Sequence, residues 1–73
     1  MFANFTTLDK FVVYINPMHV VKIHGPNDRS KHVYISMIVP EASVYVAENI
    51  EYVIHALEYE NPLVDISRGI GAR

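Results

Sequence analysis

His32-Val33-Tyr34-Ile35-Ser36-Met37-Ile38-Val39 alternates two kinds of side chain, and this alternation sets the fold class. On an extended chain Val33, Ile35, Met37 and Val39 share one face and His32, Tyr34, Ser36 and Ile38 the other, the period of a strand with one buried side. Pro40 closes it, because proline removes a ladder donor. Downstream, Ser43 to Ala47 carries Val44 and Val46 in phase and reads as a short strand after a Pro40-Glu41-Ala42 turn. Upstream, His19 to His24 places Val21 and Ile23 on one face and Lys22 and His24 on the other, before Gly25-Pro26-Asn27-Asp28 interrupts. Phe11 to Ile15 is β-branched and aromatic and stops at Asn16-Pro17. Short connections favour antiparallel pairing, since parallel strands need long crossovers.

Beyond Ala47 the period lengthens. Ile50, Val53, Ile54 and Leu57 occupy one side of a helix expected from Glu48 to Glu60, with acids in its first turn and Asn61-Pro62 as its stop. The expected fold is therefore α+β: a small four-stranded antiparallel meander with one C-terminal amphipathic helix packed on one face. Residues 1–62 form a single domain in this reading, and 63–73, ending in Arg68-Gly69-Ile70-Gly71-Ala72-Arg73, form a flexible tail.

A chain of 73 residues of which 51% are hydrophobic has more apolar surface than so small a core can hide; such a domain buries only about 60% of its unfolded surface. With no cysteine there is neither a disulfide nor a thiolate zinc site to help. Self-association is the expected remedy, a homodimer being the favoured form, with a second protein as the other expected kind of partner. The net charge of −2 divides unevenly. Residues 1–40 hold Lys10, Lys22, Arg29 and Lys31 against Asp9 and Asp28, and residues 41–73 hold six acids against Arg68 and Arg73. No stretch approaches the roughly 18 apolar residues of a membrane span, and no secretory pattern opens the chain, so a cytoplasmic protein is expected.

The residues offer little chemistry. His24 and His32 flank a turn with Asp28 at its tip, but the spacing fits no recognised metal motif and supplies no fourth ligand. No serine or threonine sits in a nucleophile motif, Glu51 and His55 have the ordinary spacing of an exposed helix, and Gly25, Gly69 and Gly71 make no phosphate loop. No catalytic residue, metal or cofactor is expected. Binding is better supplied. Tyr52, His55 and Tyr59 project from the helix side opposite its apolar face, and Tyr14, Tyr34 and Tyr45 lie out of phase with the apolar rows of their strands. Together they are the candidate protein interface. The alternative is a single-stranded nucleic acid or RNA site made by Lys22, His24, Arg29 and Lys31 with Tyr34 as a stacking platform. A pI near 6.0 argues against that alternative. The reading is thus a non-enzymatic adaptor or regulatory module of bacterial or phage type.

Phe11-Val-Val-Tyr-Ile-Asn-Pro-Met-His-Val-Val-Lys-Ile23, followed by Val44-Tyr-Val-Ala-Glu-Asn-Ile-Glu-Tyr-Val-Ile-His-Ala-Leu57, resembles the FlbD-like family of small bacterial proteins linked to flagella and swarming. The shared features are the strand ending in Ile15-Asn16-Pro17, the apolar pair Val21 and Ile23, and a last strand leading through Glu48 into a helix with Val53 and Ile54. The resemblance covers most of residues 8–57 and implies no catalytic residue. Val39-Pro40-Glu41 departs from the tight turn expected there. A looser likeness, through Val33-Tyr-Ile-Ser36, Pro40, Val44 and Val46, is to the CsrA family of small RNA-binding regulators; the basic N-terminal strand expected there is missing from Met1 to Thr7.

Overall fold

The structure, a computed structural model, describes residues 2–27 and 31–67. Its strands are β1 (Ala3–Thr6), β2 (Val12–Ile15), β3 (Val20–His24), β4 (Val33–Met37), β5 (Val44–Val46) and β6 (Asp65–Ser67), with one α-helix, α1 (Ile50–Glu58), between β5 and β6. The α+β class is as expected, but the single antiparallel meander is not what forms. Two sheets are present: a hairpin β1-β2, and a mixed four-stranded sheet in the order β5-β4-β3-β6.

The strand expected from Phe11 to Ile15 leaves the meander because the segment before it, Ala3–Thr6, is itself a strand. β1 pairs antiparallel with β2 from Ala3↔Ile15 to Thr6↔Val12. Their connection, residues 7–11, is a three-residue loop (8–10) closed by Thr7 and Phe11: Lys10 N–H donates to the Thr7 carbonyl at 2.9 Å and Thr7 N–H donates to that of Phe11 at 2.8 Å. Lys10 takes a left-handed φ of 72°. Such loops normally place glycine or asparagine at that position, and a lysine there hides the hairpin from a reader of turn residues. After β2, Asn16 and Pro17 do not reverse the chain onto its neighbour. Asn16 accepts the Met18 N–H on its side chain and caps a one-turn 3-10 helix, Pro17–His19, which redirects the backbone into β3.

β3 carries a register shift between Val20 and Lys22. The extra residue breaks the expected Val21/Ile23 face: Val20 and Ile23 are buried and Val21 is exposed. Val33 and Ile35 are buried and Met37 packs partly against the core, as the alternation required, but Val39 lies beyond the end of β4 and is exposed. The segment expected as a loose tail contributes β6, which runs parallel to β3 with Ile66 beside Ile23. Val64 is buried just before it, so the fold extends past residue 62. Three residues are too few to show a period. The rest of that tail, 68–73, lies outside the described residues.

One continuous core holds both sheets and the helix. Phe5 and Ile15 from the hairpin meet Ile23, Val33, Ile35 and Val46 from the larger sheet, and Val53, Ile54 and Leu57 of α1 close over them. The hairpin is stitched to the sheet where Thr7 bridges Val46 and Ala47 N–H donates to the Thr6 carbonyl at 2.8 Å. Glu48, expected inside the helix, precedes it, and both its carboxylate oxygens accept the Thr6 N–H at 3.0 Å. Asn49 is the N-cap, accepting the Tyr52 N–H at 2.9 Å. Among the described residues no helix is long and apolar enough to cross a membrane.

Candidate functional site

The six candidate interface residues divide between two surfaces. Tyr52 and His55 on α1 and Tyr59 at its C-cap are exposed as expected, Tyr59 by 82%. With Ala56 they line an open, mainly apolar hollow of about 350 Å³. Tyr52 is steadied from beneath, its ring meeting that of Phe5 edge to face at 6.0 Å. Tyr14 belongs with this group and not with the sheet tyrosines, because β2 has left the larger sheet. It stands 67% exposed on the hairpin and shares a depression of about 260 Å³ with Phe2, Tyr52, Ala56 and Glu60. Phe2, which sequence reasoning passed over, is the residue that joins hairpin and helix into one apolar face. The hydrophobic run at the chain start was its only signal.

The second surface is the side of the larger sheet away from the helix. Tyr34 and Tyr45 are direct cross-strand partners with ring centroids 4.6 Å apart, and His24 continues the row with its ring 5.4 Å from that of Tyr34. His24 and His32 do not face each other. The residue opposite His24 in the ladder is Tyr34, which displaces His32 by two positions. Among the described residues no group of three or more His, Asp or Glu is placed to hold a metal ion, and Asp28 lies outside them, as does Arg29.

Lys22 does not stand free for a phosphate either. Its ammonium lies 3.8 Å from the Asp65 carboxylate, a pairing made by the parallel register of β6 on β3. Lys31 is exposed before β4 begins. Of the expected basic hairpin end, the structure therefore joins Lys22, His24 and Tyr34 on one face and adds an acid to it.

On that face His24 is half-buried. Its Nε2 lies 2.7 Å from the Ser36 hydroxyl. Desolvation first, and the neighbouring Lys22 charge second, hold its pKa below the ordinary 6.5, with Asp65 opposing them. As pH falls through the interval below that ordinary value, the unfolded chain takes up this proton before the folded one, so His24 makes the fold less stable; below the folded pKa the loss is complete. The melting temperature of His24→Gln should accordingly fall less between pH 7.5 and 5 than that of the parent chain. Equal slopes would show that the burial of this ring has no energetic consequence.

A further concavity, about 510 Å³, opens between the hairpin and the β5 side of the sheet. Phe2, Val13 and Ile15 form one wall, and Met37, Ala42 and Val44 the other. It is an open trough whose lining also includes Asn16, His19, Glu41 and Ser43, and the Ser43 hydroxyl accepts the Met37 N–H at 2.9 Å. Comparison with known proteins finds no matching family model, no similar curated protein and no similar solved structure.

Proposed function

We propose that this protein is a non-enzymatic interaction module, of the adaptor or regulatory kind, that associates with itself through the face built from the β1-β2 hairpin and the outer side of α1. One observation carries the reading. Among the described residues thirteen large hydrophobic side chains are exposed while eleven hydrophobic residues form the core. Scattered apolar residues on a surface are ordinary, but Phe2, Tyr14, Tyr52 and Tyr59 adjoin one another around connected hollows. Tyrosines of this kind bring large contact area with little side-chain entropy to lose and a hydroxyl that tolerates water, which suits a surface that must exist both bound and free.

Light scattering on a size-exclusion column provides the test. The parent chain should elute as a dimer or larger species at micromolar concentration, and Tyr14→Ser combined with Tyr59→Ser should raise the dissociation constant at least tenfold while leaving far-ultraviolet circular dichroism unchanged. Both side chains are more than half exposed, so folding should not confuse the result. A parent chain that stays monomeric at 100 µM would sink self-association.

The row His24, Tyr34, Tyr45 supports a second reading, a platform for single-stranded nucleic acid, in which rings stack bases and Lys22 meets phosphate. Asp65 beside Lys22 and the acidic balance of the chain weigh against it. A salt-sensitive excess of 260 nm absorbance in the eluting peak would favour this reading over the first.

A further inference from the structure

The hairpin alternation fixes which groups of β2 point outward. Thr7 and Phe11 form a hydrogen-bonded pair, so the next bonded pairs along the ladder are Phe5 with Val13 and Ala3 with Ile15. The backbone N–H and C=O groups of Val12 and Tyr14 therefore face away from β1, along an edge that no strand covers among the described residues. Soluble proteins ordinarily guard such an edge with a lysine, a proline or an inward charge. Here Phe11-Val12-Val13-Tyr14-Ile15 carries no charge at all. The opposite outer edge, β6, is a three-residue strand that begins with an exposed aspartate.

We propose that two copies of the chain pair antiparallel along this β2 edge, with Val13 on the two-fold axis. This specifies the geometry of the self-association put forward above and rests on it. In that register the Val12 backbone exchanges both hydrogen bonds with Tyr14 of the second copy, and the symmetry repeats the exchange. An uncharged seam suits a two-fold contact, since Val13 meets its own copy on the axis and any charge close to the axis would lie near the same charge of the second chain.

The side chains fit the same register. Phe11 shares its strand face with Val13 and Ile15, yet it is 69% exposed because nothing at its own end of the hairpin covers it. Pairing about Val13 sets Phe11 of one copy opposite Ile15 of the other, over the 510 Å³ trough that Ile15, Met37 and Val44 line. The uncovered ring and the unfilled trough thus meet twice. On the outer face, Tyr14 lies across from Val12, a favourable aromatic and β-branched pair. Phe2, Phe11, Val12 and Tyr14 are each more than half exposed, and together they present on the order of 450 Å² per copy, over half of the ~800 Å² that each partner of a stable complex buries.

The chain has no cysteine, so a single introduced thiol reports on geometry without interference. Opposed residues at a position without ladder hydrogen bonds have Cβ atoms about 5 Å apart, close to what a disulfide needs. The full-length Val13→Cys variant, under mild oxidation at micromolar concentration, should convert mostly to a covalent dimer, and Ala47→Cys, exposed away from the seam, should not. Phe11→Ala should weaken the noncovalent dimer at least tenfold. If light scattering finds a dimer but Val13→Cys crosslinks no more than Ala47→Cys, this pairing is wrong and the self-associating module stands. A dimer indifferent to Phe11→Ala also overturns it, and a monomeric parent chain overturns both.

Discussion

Phe5→Ala is expected to cost about 3–5 kcal/mol, the range for deleting a buried aromatic ring, and to leave so small a domain largely unfolded at 37 °C. Phe5 is 2% exposed and sits where three elements meet: β1 supplies it, the larger sheet and α1 enclose it, and Tyr52 rests on its ring edge to face. Its removal leaves a void bounded by strands that cannot collapse far, because β1 is held at both ends, to β2 by its ladder and to the start of the helix by the Glu48 carboxylate. Phe2→Ala, three positions earlier on an exposed side chain, should change monomer stability by less than about 0.5 kcal/mol. Urea unfolding followed by circular dichroism separates the two. A Phe5→Ala chain within about 1 kcal/mol of its parent would mean that β1 is an appendage and not part of the core.

This expectation bears on function as much as on stability. Phe5 sets the height of Tyr52, and through Tyr52 it joins the hairpin to the helix face on which association is proposed to depend. A loss of association in Phe5→Ala would therefore carry no information about the face itself. Tyr14, Tyr59 and Phe11 are the residues to change for that purpose, since their side chains are mostly in solvent and the fold makes small demands on them.

The parts of this fold legible in the sequence are those where a period ran long enough to be read. Val33 and Ile35 on β4, Val44 and Val46 on β5, and Val53, Ile54 and Leu57 on α1 pack on the sides their spacing indicated. Tyr34 and Tyr45 were likewise placed together by alternation, and the helix stripe by its opposition to the apolar side. What escaped was whatever a local period does not encode. The β1-β2 turn uses Lys10 in a conformation normally advertised by glycine. The bulge on β3 moves Val20 inward and Val21 outward without any residue that marks it. β6 is three residues held by parallel pairing to a strand more than forty positions earlier, a purely tertiary choice. Alternation alone sets Tyr14 with Tyr34 and Tyr45, but its face depends on which strand pairs with β2, and that strand is β1.

Asn61 is the second position where a large loss is expected, and its role was equally hidden, since Asn61-Pro62 reads from sequence only as a helix stop. It is 7% exposed, the one buried polar side chain among the described residues. Its Nδ2 donates to the Pro17 carbonyl at 2.9 Å across 44 positions of sequence, and its Oδ1 accepts the Leu63 N–H at 3.2 Å. Its own backbone N–H meanwhile closes the helix end on Leu57, and its carbonyl accepts from Val64. One side chain thus ties the end of α1 to the 3-10 turn that launches β3 and shapes the approach to β6. Asn61→Ala removes both side-chain bonds in a dry setting and should cost about 2–3 kcal/mol. Asn61→Asp distinguishes hydrogen bonding from mere filling of space. The carboxylate keeps the shape and still accepts from Leu63, but it turns an oxygen toward the Pro17 carbonyl and places a charge where the side chain is buried. At pH 7 it should be the more damaging change, by about 3–5 kcal/mol. The folded protein accepts that carboxylate only when protonated, so the deficit should shrink as pH falls toward the ordinary aspartate range, where the neutral acid regains a donor. Urea midpoints at pH 7 and pH 4.5, each taken relative to the parent chain, provide the measurement. Should the alanine variant match the parent, or the aspartate variant fail to recover with acid, the Pro17 contact is not what holds the helix end in place.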